Sequence, residues 1–215
     1  MFTSIKQKAL TAGAFSLLSL GSLALSATPT YAAAIDFSGW TPIGNATTGT
    51  QATITTAGSS ALETGGGAGS LETALGIVNA NFASGSTDTD NTPYQGSAIR
   101  NSSFFSNINA NDVFSFNSNF TQDGSDRGFV AITNLANSAT QIFTPAASSF
   151  SYTFTTAGAY DVSIGALDVG DYIGQSQLVV SNGNLQPVPE PISVISSIVA
   201  ISCGATLRKR FGKKA

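Results

Sequence analysis

Aspartates recur at spacings of two or three residues in Asp88-Thr89-Asp90-Asn91 and Asp123-Gly124-Ser125-Asp126, and Asp168 and Asp171 bracket Gly170. Alternating oxygen ligands on a bending loop suit calcium, because a hard cation takes six to eight oxygens. Neither of the first two loops carries a bidentate acid at the twelfth position. That gap favours the competing reading, acidic turn residues that cap their own backbone. No cofactor or metal site is therefore expected, with calcium the one ion these loops could take. Sugar recognition asks for aromatic faces to stack on a ring, with Asn, Asp and Gln nearby for the hydroxyls. Trp40, Tyr94 and Tyr172 lie in segments that read as loops or strand ends and are the candidate glycan contacts; the competing role for each is core packing. Arg127, beside Asp126, reads as a paired loop residue or a grip for an acidic sugar, and Arg100 reads the same way. Two carboxylates could hydrolyse a glycoside without histidine or metal. Nothing in the spacing of Glu63, Glu72 and the aspartates selects such a pair, so no catalytic residue is assigned.

The rest of the composition narrows the chemistry further. The 215 residues contain no histidine and one cysteine, Cys203. Ser-His-Asp and Cys-His sites, the usual His/Cys zinc sites and an internal disulfide are all excluded. Charge is segregated along the chain. Seven of nine basic residues sit at the ends, and all twelve acidic residues fall between Asp36 and Glu190, leaving residues 35–191 with two basic and twelve acidic side chains, a net charge of −10. Such a surface repels nucleic acid and anionic lipid.

The elements that must position these residues are mostly strands. Phe114, Phe116 and Phe120 alternate with Ser115, Asn117 and Asn119; Phe150, Tyr152 and Phe154 repeat the pattern, as do Tyr160, Val162, Ile164 and Ala166. Residues 51–56, 129–133 and 177–180 are further segments of strand length, and Ala157-Gly158-Ala159 marks a tight hairpin-like connection between two strong strands. One stretch departs from the period of two: Leu71, Leu75 and Val78 fall at i, i+4 and i+7 behind Ser70, an acceptable N-cap. It predicts one short helix that packs as a lid across a sandwich end, since nine residues need tertiary support. The fold class is all-β, an antiparallel sandwich or jelly roll with one short helix.

Both ends read as targeting segments, residues 1–34 as a signal peptide and 188–215 as a second signal, with 35–187 as the sandwich domain. At the N-terminus, Lys6 and Lys8 precede an apolar run from Ala9 to about Ala27, followed by Pro29 and Tyr31-Ala32-Ala33-Ala34, which predicts cleavage after Ala34 or Ala32 by a signal peptidase. At the C-terminus, Pro189-Glu190-Pro191 leads into an apolar run over 192–207 and a basic tail over 208–215 that opens Arg208-Lys209-Arg210. Sixteen residues make about 24 Å of helix, a short membrane span that snorkelling arginine and lysine can complete, with the basic tail cytoplasmic.

That order of tripeptide, short apolar helix and basic tail, at the end of a chain with a leader, resembles the PEP-CTERM sorting signal. The resemblance implies export by a bacterium with an outer membrane, transient anchoring, processing near the tripeptide by an exosortase, and a destination at the cell surface or extracellular matrix beside exopolysaccharide. Residues 70–181 also look like sandwich domains found on such proteins. The matching segments are Leu71-Glu72-Thr73-Ala74-Leu75-Gly76, Gly96-Ser97-Ala98-Ile99, Val113-Phe114-Ser115-Phe116, Phe129-Val130-Ala131-Ile132, and Asp168-Val169-Gly170-Asp171 followed by Ser176-Gln177-Leu178-Val179-Val180. That likeness implies a lectin-like or unassigned role without established catalytic residues. The expectation is thus a non-enzymatic, glycan-binding surface protein. Its alternatives are a non-binding structural surface protein and a carbohydrate-active hydrolase.

Overall fold

A computed structural model describes residues 32–77, 82, 93–146, 148–170 and 174–188, with the backbone alone for Pro93 and Tyr94. Short strands come first: β1 Ala33–Ile35, β2 Thr41–Ile43, β3 Ala46–Thr47, β4 Ala52–Thr55 and β5 Leu62–Glu63. A helix, α1 Leu71–Leu75, precedes the longer strands β6 Pro93–Asn101, β7 Val113–Thr121, β8 Arg127–Asn134, β9 Ala139–Phe143, β10 Ser149–Thr153, β11 Tyr160–Val169 and β12 Gln177–Gln186. Every pairing is antiparallel. One sheet runs β10-β7-β12-β4-β3, with β1 beside the last residues of β12; the other runs β2-β6-β11-β8-β9, with β5 against β6. The expected all-β sandwich is therefore the observed fold.

From β6 onward each connection changes sheet except β8 to β9, and this interleaving is the connectivity of a jelly roll. It corrects the expected hairpin at Ala157–Ala159. β10 pairs with β7 while β11 pairs with β6 and β8, so this segment crosses between sheets. Gly158 is held at the crossing by mutual 2.9 Å backbone hydrogen bonds with Ile108. Local alternation signals each strand but not its partner, and here two strands near in sequence satisfy their backbones in different sheets.

The alternation acts as read. Phe114 and Phe116 of β7 point between the sheets, where Phe116 stacks on Phe150 at 5.2 Å and Phe105 meets Phe114 edge-on at 5.1 Å. Ile99, Val130, Ile132, Val162 and Ile164 face them from the second sheet. Burying each such side chain stabilises the fold by about 1.5–3 kcal/mol.

β11 is buried along its whole length, because a second apolar cluster covers the outer face of its sheet. Leu71 and Leu75 of α1, with Ile77, pack there on Ala98, Phe129 and Leu167. The helix begins at Ser70, whose hydroxyl accepts from Thr73 N, and ends at Gly76 in the left-handed conformation. It covers a sheet face and not a sandwich end, which corrects the expected lid. Small residues make the room: a Cβ on Gly96 would sit 3.0 Å from Leu71 Cδ2, and one on Gly165 would sit 2.3 Å from the Phe129 ring and 2.6 Å from Ser97 O.

The described body extends past 35–187 at both ends. Ala33 and Ala34 already pair with β12, and Val188 N donates to Asp112 Oδ1. Among the described residues no helix is long and apolar enough to cross a membrane. Most of the leader, the span over 192–207 and the sorting residues Pro189, Glu190, Pro191, Arg208, Lys209 and Arg210 lie outside the described residues.

Candidate functional site

A cleft with an aromatic ring in its wall forms where β7 ends, β8 begins and the β9–β10 connection passes over both. It has a volume of about 320 Å³. Phe120 reaches it because it continues the inward series of β7 to the point where the sandwich opens, so its ring is only half-buried. Leu178 of β12 and Pro145 complete the apolar lining. Pro145 can approach because position 128 is glycine; a Cβ there would lie 3.3 Å from Pro145 Cγ. Gln122, Ser125 and Thr144 supply polar groups; Arg127 also borders the cleft, but its side chain stands on the outer face of β8 beside Leu167. Gln122 is exposed and its Nε2 donates to Gly124 O at 3.0 Å, while Arg127 Nη2 donates to Phe82 O at 3.2 Å. An apolar wall ringed by an amide and hydroxyls can hold a sugar ring by its C–H face and take hydroxyls at its edge.

Asp126 also borders this cleft, but its oxygens are engaged. Oδ1 accepts from Val169 N at 2.9 Å and Oδ2 from Thr56 Oγ1 at 3.1 Å, while Thr56 Oγ1 accepts from Ser176 N. These contacts tie the ends of β11 and β8 to those of β4 and β12, across the two sheets. The loop itself is a turn in which Asp126 N donates to Asp123 O. The other buried acids have partners too: Asp168 accepts from Gln95 Nε2, Asp112 from Asn109 N and Val188 N, and Glu72 Oε1 from Gly65 N. Among the described residues no three His, Cys, Asp or Glu side chains converge as metal ligands. Asp88, Asp90 and Asp171 lie outside them.

A second cleft, of about 450 Å³, is lined by Thr41, Ala74, Arg100 and Asn101. Arg100 is spent there: Nε donates to Asp161 Oδ2 at 2.6 Å, Nη2 pairs with the same oxygen, and Nη1 caps α1 at Ala74 O. A third, of about 500 Å³ around Asn45, Thr53 and Gln175, is lined by no aromatic or charged residue.

Trp40 is no glycan platform, and the expectation for it is corrected. The 3-10 turn Phe37–Gly39 delivers its ring into the core, 3% exposed, against Phe37 at 5.3 Å and Phe105 at 6.0 Å. Tyr94 has its backbone in β6, and its side chain and all of Tyr172 lie outside the description. Among the described residues, the aromatic ring that lines the cleft is Phe120 and not Trp40. The signal for Phe120 was in the sequence: it is the last inward residue of its strand, followed at once by a polar loop.

No family model matches the sequence, and no curated protein matches it. Among solved structures, the chain is similar to the CBM22-1 and GH10 modules of the Clostridium thermocellum endo-1,4-β-D-xylanase 10B complexed with xylohexaose. The identity is 12% and the TM-score 0.33, covering 72% of this chain and 27% of that one. The present chain therefore matches about a quarter of that structure's length, and a likeness of this size assigns it nothing.

Proposed function

We propose that the chain is an exported bacterial surface or extracellular-matrix protein whose sandwich binds exopolysaccharide without catalysis, at the cleft between Phe120 and Arg127. The observation that carries the binding reading is the half-buried Phe120 ring in a cleft bordered by Gln122, Ser125 and Arg127. The commitment of Asp126, which borders the cleft, to structural partners through both oxygens supports binding over hydrolysis. Export rests on the sequence ends. A signal peptidase removes the leader, the apolar run over 192–207 anchors the chain with its basic tail cytoplasmic, and an exosortase cleaves near Pro189-Glu190-Pro191. The burial of Trp40 favours a second reading, a structural surface protein without a glycan site, and one assay separates the two.

That assay is affinity electrophoresis of the protein released from the cell surface, in native gels containing the exopolysaccharide of the producing bacterium. Binding predicts retardation that Phe120→Ala and the exposed Gln122→Ala each reduce about two- to tenfold in apparent affinity, the first by the loss of a stacked ring and the second by the loss of a hydrogen bond. Circular dichroism confirms that each variant is folded. Equal mobility with and without polysaccharide, from folded protein, leaves the structural reading.

A further inference from the structure

Residues 35–191 contain two basic side chains, Arg100 and Arg127, and neither turns its charge into the Phe120 cleft. Arg100 is committed to Asp161 and to Ala74 O at the end of α1. Arg127 borders the cleft, but the alternation of β8 directs its side chain away. Gly128 and Val130 face between the sheets, whereas Arg127 lies opposite Leu167 on the outer face, where Phe129 and Ala131 pack, and its Nη2 donates to Phe82 O at 3.2 Å. The acids are placed the other way. Asp126 stands in the cleft wall at 6% exposure, and both of its oxygens accept from neutral donors, Val169 N and Thr56 Oγ1, so no cation balances the carboxylate. Asp123, in the same loop, is exposed. The polar groups open to a ligand at the rim, those of Gln122, Ser125 and Thr144, are exposed and uncharged, and each can donate and accept.

We infer that the glycan taken at this cleft is neutral: the rings that enter carry hydroxyl or acetamido groups and no carboxylate, sulfate or phosphate. The inference rests on the proposed binding at Phe120 and narrows its ligand class. Stacking of a ring face on Phe120 and hydrogen bonds to an amide and two hydroxyls need no charge on the sugar. An anionic ring would give up its water with no basic side chain to replace it, beside the fixed carboxylate of Asp126 and in a body of net charge −10. The cleft therefore selects by repulsion as well as by contact.

Three forms of the producing bacterium's polysaccharide test this: as isolated, with its carboxylates reduced to primary alcohols, and with its primary alcohols oxidised to carboxylates. Each is set in native gels against the surface-released protein, with and without calcium. The reduced form should retard the protein most and the oxidised form about tenfold less in apparent affinity, a gap that narrows as salt rises from about 0.01 to 0.15 M. Ser125→Lys, which places an ammonium at the exposed rim, should recover binding of the oxidised form, which the loss of hydroxyls alone would not allow. If that variant does not fold, the salt dependence decides. An oxidised form that binds as well as the reduced one, with or without calcium, overturns the inference and leaves the binding reading standing. So does a deficit that salt and Ser125→Lys both leave unchanged. No retardation by any of the three forms, from folded protein, overturns the binding reading and this inference together.

Discussion

Asp126 shows how a single side chain can serve structure in a place that reads like chemistry. Its two oxygens accept from groups on opposite sheets, Val169 N and Thr56 Oγ1. Asp126→Ala removes both acceptors and leaves the buried Val169 N without its partner. The expected cost is about 1–3 kcal/mol, read from the urea midpoint. An unchanged midpoint would contradict the tie. The turn itself was legible in the Asp-Gly-Ser-Asp composition. Its partners were not, because Thr56 lies seventy residues away in sequence and Val169 forty-three. Tyr152 gives a pH-dependent prediction. Burial holds its hydroxyl above the usual tyrosine value and the charge on Tyr160 adds to this, while a hydrogen bond with Gln141 opposes both. The folded state therefore prefers the neutral phenol. Its contribution to stability is complete below the unfolded value of about 10 and is lost as pH rises through the raised folded value. Tyr152→Phe should flatten the fall in urea midpoint between about pH 9 and 11, and an equal slope in both proteins would contradict the assignment.

At the scale of elements, the sequence announced strands by alternation and the helix by its spacing and cap, and those signals were local enough to read. Strand order was not, because pairing in a jelly roll joins segments remote in sequence, such as β4 with β12. The seat of α1 was hidden for a related reason: Gly96 and Gly165 become meaningful only when Leu71 and Phe129 are known to lie over them. Gly165→Ala forces the Phe129 ring and the Ser97 carbonyl away from the added methyl. Overpacking of this kind costs about 1–3 kcal/mol, measurable as a lowered urea midpoint with an unchanged slope. β1 makes a prediction about processing. Cleavage after Ala34 would delete two of its three residues, whereas cleavage after Ala32 keeps the pairs Ala33 with Leu185 and Ala34 with Asn184. N-terminal sequencing of the exported protein should therefore read Ala33-Ala34-Ile35. A start at Ile35 would show that the fold does not need the strand.

For the whole molecule, the proposed destination rests on the ends of the sequence alone and the shape on the body, while the binding reading depends on how the body opens at one place. Acidic character and the absence of histidine exclude most catalytic and nucleic-acid-binding alternatives from composition alone. What remained was a choice of aromatic residue. A lone tryptophan draws attention in a polar sequence, yet here it fills the core beside Phe37 and Phe105, and the ring that lines the cleft belongs to Phe120 at the end of its inward row. The most direct test of the binding site is a two-dimensional amide NMR titration of the isotope-labelled surface-released protein with oligosaccharides cut from the producing bacterium's polysaccharide. Saturable shifts confined to Phe120, Gln122, Ser125, Gly128, Thr144 and their neighbours are the predicted result. No shifts at saturating ligand, or shifts centred on Thr41 and Asn101, would contradict it.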